Sequence, residues 1–166
     1  LAKMRPAFKK DGTVTAGNAS GINDGAAFLV LADRATAEQA GHQPMARLVS
    51  YALAGVPNHI MGEGPIPASQ HALARAGLAL SDMDVIESNE AFAAQALAVA
   101  KGLGLDLQKT NPNGGAIALG HPVGCSGAFI ATKALYELER IGGRYALVTM
   151  CIGGGQGIAT IFERLT

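Results

Sequence analysis

The sequence has few of the residues that mark several common classes of protein. It contains no tryptophan, two cysteines in 166 residues, and an aromatic fraction of 5%. Two cysteines cannot build the disulfide framework of a small secreted domain, so we expect a reducing, cytoplasmic compartment. The 13 lysines and arginines balance the 13 aspartates and glutamates, which leaves no basic excess for nucleic acid. No apolar run approaches the roughly 18 residues that a membrane span needs, so we expect no membrane partner.

Glycine and small apolar residues are abundant instead. The chain has 22 glycines and a hydrophobic fraction of 49%, and it begins with Leu1 rather than methionine. This length is enough for one domain with a buried core, and the first residue leads us to expect part of a longer protein. Predicted strands alternate with predicted helices, which indicates an α/β layered sheet.

The apolar runs and helix signals give a specific set of elements. Buried strands are predicted over residues 26–31, 46–54, 84–87, 145–150 and 158–162. Helices are predicted over residues 36–40, 68–76, 90–101 and 126–140, and residues 65–67 (Pro-Ile-Pro) are predicted to form a stiff loop. A glycine stretch alone joins the last two strands, so they should pair antiparallel.

The motif CIGGGQG, residues 151–157, places a cysteine at the end of a strand and four glycines after it. A thiol becomes reactive when its pKa is lowered or a proton acceptor is near. Glycines allow a sharp turn whose backbone N–H groups can hold an oxyanion. The alternative is a buried structural cysteine before a tight hairpin, and a phosphate-binding glycine loop at residues 153–157 is a further possibility.

Two more stretches present polar side chains at element boundaries. His121 lies between Gly120 and Pro122 just before a predicted helix, so its ring is either presented for chemistry or is a loop residue without a role. Asn89 and Glu90 follow a predicted strand and open a predicted helix. Asparagine is a good N-cap, so capping alone would explain Asn89. The remaining histidines, His42, His59 and His71, are too scattered for a zinc site and are predicted to lie on the surface.

Four motifs together resemble the C-terminal catalytic half of the thiolases, and most closely the bacterial broad-specificity β-ketothiolases. They are GNASGINDGAA, NEAFAAQA, NPNGGAIALGHPVG and CIGGGQG, at residues 17–27, 89–96, 111–124 and 151–157. The resemblance covers essentially the whole chain. It implies a five-stranded mixed sheet with helices on both faces. It also implies that residues 1–20 end a CoA-binding loop region and that residues 21–166 form the C-terminal domain.

The resemblance assigns a role in acyl transfer between CoA thioesters to each matching position. Cys151 corresponds to the second cysteine of the family, which moves a proton to or from the acetyl α-carbon or the CoA thiol. His121 resembles the histidine that activates the nucleophilic cysteine and stabilises a thioester oxyanion. Asn89 resembles the asparagine that holds a water in that oxyanion hole, and the Gly153 N–H resembles part of a second hole.

The resemblance also implies the binding partners. Ser20 corresponds to a contact with the pantetheine arm of CoA, and Met61, Ala91 and Phe92 correspond to residues that line the pocket. CoA is then a substrate, and no separate cofactor or metal is expected. The expected partners are acyl-CoA, CoA, an N-terminal thiolase half and further copies in a dimer or tetramer.

The acyl-accepting cysteine of thiolases belongs to an N-terminal half that these 166 residues do not include. We therefore expect the chain to be inactive alone and to expose apolar surface where the other half packs. Cys125 is no replacement, because the family usually has alanine or threonine there, and we expect it to fill a small pocket at a helix start. The alternative function is a non-catalytic dimerisation module with the thiolase fold.

Overall fold

A computed structural model describes residue 1 and residues 3–165, and its core is a four-stranded mixed sheet. The strands are β1 (Ala46–Gly55), β2 (Val85–Ser88), β3 (Tyr145–Ile152) and β4 (Gln156–Arg164), in the spatial order β1-β4-β3-β2. The α-helices are α1 (Arg34–Gln39), α2 (Pro65–Ala76), α3 (Ala93–Leu103), α4 (Ala116–Leu119) and α5 (Ser126–Ile141), and a 3-10 helix spans Asn58–Glu63. Only β2 and β3 pair parallel, and the predicted antiparallel pairing of the last two strands is confirmed.

The alternating pattern of β3 explains why helices cover both faces of the sheet. Leu147 points into an apolar cluster that includes Ala68 and Ala72 of α2. Its neighbours Ala146 and Val148 point into a second cluster built on α5. Successive strand side chains point to opposite faces, so a continuously apolar strand needs a cover on each side. The predicted arrangement, a mixed sheet with helices on both faces, is confirmed.

Helix α2 begins earlier than its sequence signal indicated. Residues 65–67, which we predicted to be a stiff loop, form its first turn, with Pro65 in the first position. Proline suits this position because its missing N–H would have no helical partner there and its φ is already helical. The predicted end of the helix is correct, since Gly77 adopts a left-handed conformation with φ 66°.

The prediction of five strands is wrong, because residues 26–31 are not a strand. Phe28 is 89% exposed, Val30 99% and Leu31 76%, and the segment pairs with no strand among the described residues. An extended apolar run becomes a strand only where a sheet edge supplies its hydrogen bonds and a neighbouring layer covers its side chains. At the outer edge of the sheet, Thr110 forms a single parallel bridge with Ile86 of β2.

Two of the glycines between β3 and β4, and one at the start of β4, are required by the backbone itself. Gly154 and Gly155 have φ values of 81° and 89°, which other residues rarely adopt. A Cβ on Gly155 would lie 2.4 Å from the Val56 carbonyl oxygen. A Cβ on Gly157 would fall within 2.1 Å of the Gly64 backbone. The tight turn therefore packs directly against the segment that connects β1 to α2.

Candidate active site

Asn89 lies at the carboxyl end of β2, and its side chain does not cap a helix. It is 3% exposed, and its backbone N–H donates to the Thr149 carbonyl of β3 at 3.0 Å. The capping interpretation is wrong, because α3 begins at Ala93 with Phe92 as its N-cap residue. The predicted start of this helix at residue 90 is therefore too early. The side-chain amide of Asn89 contacts His121 instead.

The His121 ring contacts Asn89 on one side and Ser126 on the other. Asn89 Nδ2 lies 3.4 Å from His121 Nε2, and Ser126 Oγ lies 2.6 Å from His121 Nδ1. The Ser126 hydroxyl donates its hydrogen to the Pro122 carbonyl at 3.0 Å. A hydroxyl has one hydrogen, so Ser126 must accept from Nδ1–H. This arrangement selects the tautomer in which Nε2 carries a lone pair that accepts from Asn89.

Burial favours the neutral form of this histidine. The half-buried imidazole of His121 has a pKa below its ordinary value, because burial disfavours the charged ring. Its backbone N–H donates to the Gly21 carbonyl at 3.0 Å, which ties the histidine loop to the N-terminal segment. A neutral ring whose Nε2 carries a lone pair and no hydrogen can accept a proton from a neighbouring thiol.

Ser126 is a site residue that the sequence analysis missed. It is the first residue of α5 and is 1% exposed. The spacing of five residues between His121 and a serine at the start of a helix was the available signal, since a loop that closes back on that helix brings the two together.

Cys151 lies at the same end of the sheet as Asn89. Ser88 of β2 pairs in register with Thr149 of β3, and Cys151 follows Thr149 by two residues on the same face of the strand. The thiol belongs to a free cysteine that is 8% exposed. Burial raises the pKa of Cys151, so the resting side chain is a protonated thiol that can donate a proton.

Gly153 is the glycine of this turn that faces open space. No heavy atom lies within 4 Å of the position that a Cβ would occupy. By contrast, backbone atoms of other segments occupy the space beside Gly155 and Gly157. A phosphate cradle at residues 153–157 would need that space, so the geometry disfavours the glycine-loop alternative. Gly153, at the exposed start of the turn that follows β3, is where a substrate could approach the backbone.

Three of the four predicted substrate-binding residues lie together. Both the backbone N–H and the hydroxyl of Ser20 donate to the Ala91 carbonyl, each at 3.0 Å. Phe92 forms an antiparallel bridge with Ala19 and packs edge-on against Phe8, with ring centroids 5.7 Å apart. The segment before Gly21 thus joins the Asn89 region to the His121 loop.

Met61, the fourth predicted binding residue, lies on a different segment of the chain. It is half-buried in the 3-10 helix between β1 and α2. The next residue, Gly62, accepts a hydrogen bond at its carbonyl from Gln95 Nε2 of α3 at 3.2 Å. This contact fixes the 3-10 helix against the helix that follows Asn89.

Two glutamates hold the loop that leads to His121, and the sequence analysis missed both of these contacts. Glu90 accepts from Asn111 Nδ2 at 3.2 Å and from the Ile117 N–H at 3.3 Å. Glu87 is fully buried and pairs at 2.9 Å with Lys133, whose Nζ also donates to the Gly114 carbonyl. The loop from Asn111 to α4 is therefore tied to β2 on both sides.

Cys125 occupies the position expected for a packing residue. It is the half-buried N-cap residue of α5. Its Sγ would lie 3.6 Å from a Cβ placed on Gly25.

Among the described residues, residue 1 and residues 3–165, no helix is long and apolar enough to cross a membrane. Within the same described residues, no group of three or more His, Cys, Asp or Glu side chains could hold a metal ion.

The matches to known families cover nearly all of the chain. The family model described as "Thiolase, C-terminal domain" matches residues 42–164, and the one described as "Thiolase, N-terminal domain" matches residues 1–35. The chain belongs to the thiolase family. This confirms the resemblance carried by the four sequence motifs. The boundary predicted at residue 20 stays a prediction.

Curated thiolases are similar over the full length of the chain. It is 66% identical to beta-ketothiolase BktB of Cupriavidus necator over 166 residues, and 60% identical to acetyl-CoA acetyltransferase of Escherichia coli over 165 residues. Each match covers 99% of the chain and 42% of the relative. The chain thus spans about two-fifths of the length of the curated thiolases that it matches.

Solved thiolase structures share the fold. The acetyl-CoA acetyltransferase of Bacillus anthracis superposes with a TM-score of 0.96 at 51% identity, over 99% of this chain and 42% of that one. Human mitochondrial 3-ketoacyl-CoA thiolase gives a TM-score of 0.93 at 50% identity, with the same two coverages. The four-stranded half described above is therefore a thiolase fold.

Proposed function

We propose that the protein to which this chain belongs transfers acyl groups between CoA thioesters. In one direction a 3-ketoacyl-CoA is split by free CoA into acetyl-CoA and a shortened acyl-CoA, and in the other two acyl-CoA molecules condense. The observation that carries the proposal is the contact between Asn89 and His121 beside the Cys151 strand end. Membership of the thiolase family supplies the reaction class.

His121 is proposed to act as the base that activates a cysteine thiol from an N-terminal thiolase half. Its Nε2 lone pair takes the thiol proton, and the thiolate then attacks the substrate carbonyl. The resulting imidazolium donates a hydrogen bond to the thioester oxygen, while Asn89 holds a water at the same oxygen. Ser126 keeps Nδ1 protonated in both states, so only Nε2 exchanges the proton.

Cys151 is proposed to move the proton at the α-carbon of the acetyl group. In thiolysis its thiol protonates the carbanion that leaves when the carbon–carbon bond breaks, and the resulting thiolate then deprotonates the incoming CoA. In condensation the same thiolate removes the α-proton. Such acid–base participation contributes about 10²–10⁴-fold to a rate. The Gly153 N–H, on the open side of the turn, is proposed as an oxyanion donor.

Ser20 is proposed to contact the pantetheine arm of CoA, and Met61, Ala91 and Phe92 are proposed to line the pocket. The first, third and fourth lie in one contact cluster next to Asn89, and Met61 lies on the segment that packs against α3. This placement supports a pocket for a thioester that reaches Asn89 and His121. In this proposal, the pantetheine arm of an acyl-CoA enters between the N-terminal segment and the 3-10 helix.

The nucleophilic cysteine is proposed to come from an N-terminal half packed on this chain. The exposed apolar residues Phe28, Val30 and Leu31 support this, since they lie in the stretch that matches the thiolase N-terminal domain. The purified 166-residue chain should then bind the dye ANS and show no acetoacetyl-CoA thiolysis. Clear turnover by the chain alone would contradict the proposal.

Variants of the complete protein test the individual roles. Cys151→Ala should lower the condensation rate by about 10²-fold or more, while Cys125→Ala, the matched control, should leave it within about twofold. His121→Ala should slow alkylation of the nucleophilic cysteine by iodoacetamide, which reports thiolate formation without turnover. Equal losses from the two cysteine variants would mean that Cys151 acts only through packing.

A further inference from the structure

An arginine-rich cavity lies at the end of the sheet opposite Cys151. Antiparallel pairing of β4 with β1 and β3 brings the starts of those two strands to the end of β4. Tyr145 and Cys151 are six residues apart on β3, so the two ends of that strand are about 20 Å apart. The open cavity has a volume of about 480 Å³ and is lined by Arg34, Arg47, Arg144, Glu163, Arg164 and Leu165.

The cavity has a large excess of positive charge in a chain whose net charge is zero. Four guanidinium groups face one carboxylate, that of Glu163. Arg144 donates to Glu163 Oε1 at 2.9 and 2.8 Å, and Arg47 donates to Oε2 at 2.5 Å. Hydrogen bonds, first from Arg144 and then from Arg47, hold the pKa of Glu163 below its ordinary value. Glu163 is therefore ionised at neutral pH, and together with Glu38, which pairs with Arg34, it leaves two of the four positive charges unbalanced.

The arginines keep donors available for a ligand. A guanidinium has five N–H groups. Arg34 uses Nε for Glu38, and Arg164 uses Nε and one terminal nitrogen for the carbonyls of Gly143 and Gly142. The side chains of Arg34 and Arg47 are 73% and 61% exposed. Within the part of the chain that the structure describes, their remaining N–H groups have no protein acceptor.

We propose that this cavity binds a multiply charged phosphate group carried by a small molecule. Planar guanidinium groups match phosphate oxygens in pairs, and such charge-assisted hydrogen bonds are the strong ones. A single carboxylate ligand would leave half of the excess charge unbalanced, whereas a multiply charged phosphate would balance all of it. The volume lies in the range of small-molecule sites, about 300–1,000 Å³. The proposal does not depend on the acyl-transfer chemistry at the other end of the sheet.

The competing explanation is an ion-pair network that only joins the strand ends. It accounts for Arg47 and Arg144, which share Glu163. It does not account for Arg34, which belongs to a separate helix and has its own partner on that helix. Arg34 is therefore the residue that separates a binding site from a strand clamp.

Calorimetric titration of the 166-residue chain with pyrophosphate tests the proposal. At an ionic strength of about 100 mM, where the Debye length is about 10 Å and distant charges are screened, we expect saturable binding at one site. Arg34→Gln and Arg47→Gln should each weaken it roughly tenfold, the loss of one charge-assisted hydrogen bond. Arg75→Gln removes the same charge from an arginine that donates to the Tyr51 carbonyl outside the cavity, and it should change the affinity less than twofold.

Two results would overturn the proposal. One is the absence of binding by a chain that melts cooperatively. The other is equal weakening by Arg34→Gln and Arg75→Gln, which would mean diffuse attraction of anions to the whole surface. A parallel titration with ADP identifies the carrier of the phosphates, because tighter binding of ADP than of pyrophosphate indicates a nucleotide and weaker binding indicates a free phosphate compound.

Discussion

Residues 26–31 and residues 145–151 are similarly apolar runs, yet they have opposite environments. The second run is β3 without its last residue, and Ala146 and Leu147 in it are fully buried. It has β2 on one side, β4 on the other, and a helix over each face. The first run has no strand partner among the described residues, and Val30 in it is 99% exposed.

The difference shows that an apolar run supplies only one side of an interface. Burial stabilises about 25 cal/mol per Å² of apolar surface, but the surface must meet another layer. β3 meets two helices of its own chain. Residues 26–31 match the N-terminal thiolase domain, so we infer that their covering layer belongs to that domain. Local sequence makes both runs suitable for burial, and the available neighbours decide which run is buried.

The largest expected effect contrasts one residue from each run. Leu147→Ala should lower the free energy of unfolding by about 3–4 kcal/mol, because it opens a cavity in a fully buried cluster. Val30→Ala should change it by less than about 0.5 kcal/mol, because that side chain is already in water. Urea denaturation of the 166-residue chain measures both. A loss of several kcal/mol for Val30→Ala would show that the first run is covered in solution after all.

A second prediction concerns the polar residues of the covered sheet. Lys133→Met should cost on the order of 2–3 kcal/mol, because it leaves the Glu87 carboxylate buried without its partner. The double variant with Glu87→Gln should recover much of this loss, since it removes the uncompensated charge. Failure of the double variant to recover stability would mean that Lys133 acts mainly through its bond to the Gly114 carbonyl.

The same variant should change the pH dependence of stability. Burial raises the pKa of Glu87 above 4.5. Such a carboxyl stabilises the folded state below its unfolded pKa, and this contribution is lost as the pH rises through the folded pKa. The hydrogen bond and the positive charge of Lys133 oppose this rise in the pKa of Glu87. Lys133→Met should therefore lose stability more steeply than the parent chain between about pH 4 and pH 8, as followed by thermal melts.

The turn after β3 repeats the comparison on a smaller scale. Gly155→Ala should cost about 2 kcal/mol, because its φ is 89° and the new methyl group would meet the Val56 carbonyl. Gly153→Ala should cost less than about 0.5 kcal/mol, since its side chain would enter open space. Denaturation midpoints of the two variants test this. Equal costs would contradict the assignment of Gly153 to the open side.

A smaller loss of stability than for Gly155→Ala is expected of Ser126→Ala, about 1 kcal/mol, the typical value of one hydrogen bond. Its main consequence is chemical. Nitrogen NMR should show His121 as the Nδ1–H tautomer in the parent chain and a mixture of tautomers in the variant. The histidine pKa, already lowered by burial, should fall further, because the charged ring also loses the acceptor at Nδ1. An unchanged tautomer would contradict the role of Ser126.

The pH dependence that His121 contributes has the opposite sign to that of Glu87. A base whose pKa is lower in the folded state stabilises that state above its unfolded pKa, and the contribution is lost as the pH falls through the folded value. The pH window in which this contribution is lost therefore begins below 6.5, the ordinary pKa of histidine. Comparing melts of the parent chain and His121→Gln over that window isolates this contribution.

Sequence motifs anticipated Asn89 and His121 as neighbours in one site, and the structure brings them into contact. They did not anticipate Ser126, because its contact depends on how the loop from Gly120 returns to the start of α5. Helix capping was the wrong explanation for Asn89, because α3 starts only at Ala93, four residues after Asn89.

The sequence by itself determined the thiolase motifs, the two closing strands and the stop of α2 at Gly77, because these depend on residue identity and on neighbours within a few positions. The tertiary structure decided which apolar run became a strand, which tautomer His121 adopts and which glycines are sterically required. Each of these depends on atoms that are distant along the chain, such as the Asn89 amide beside His121 or the Val56 carbonyl beside Gly155. Local preference cannot supply those contacts, since only the folded chain brings the two segments together.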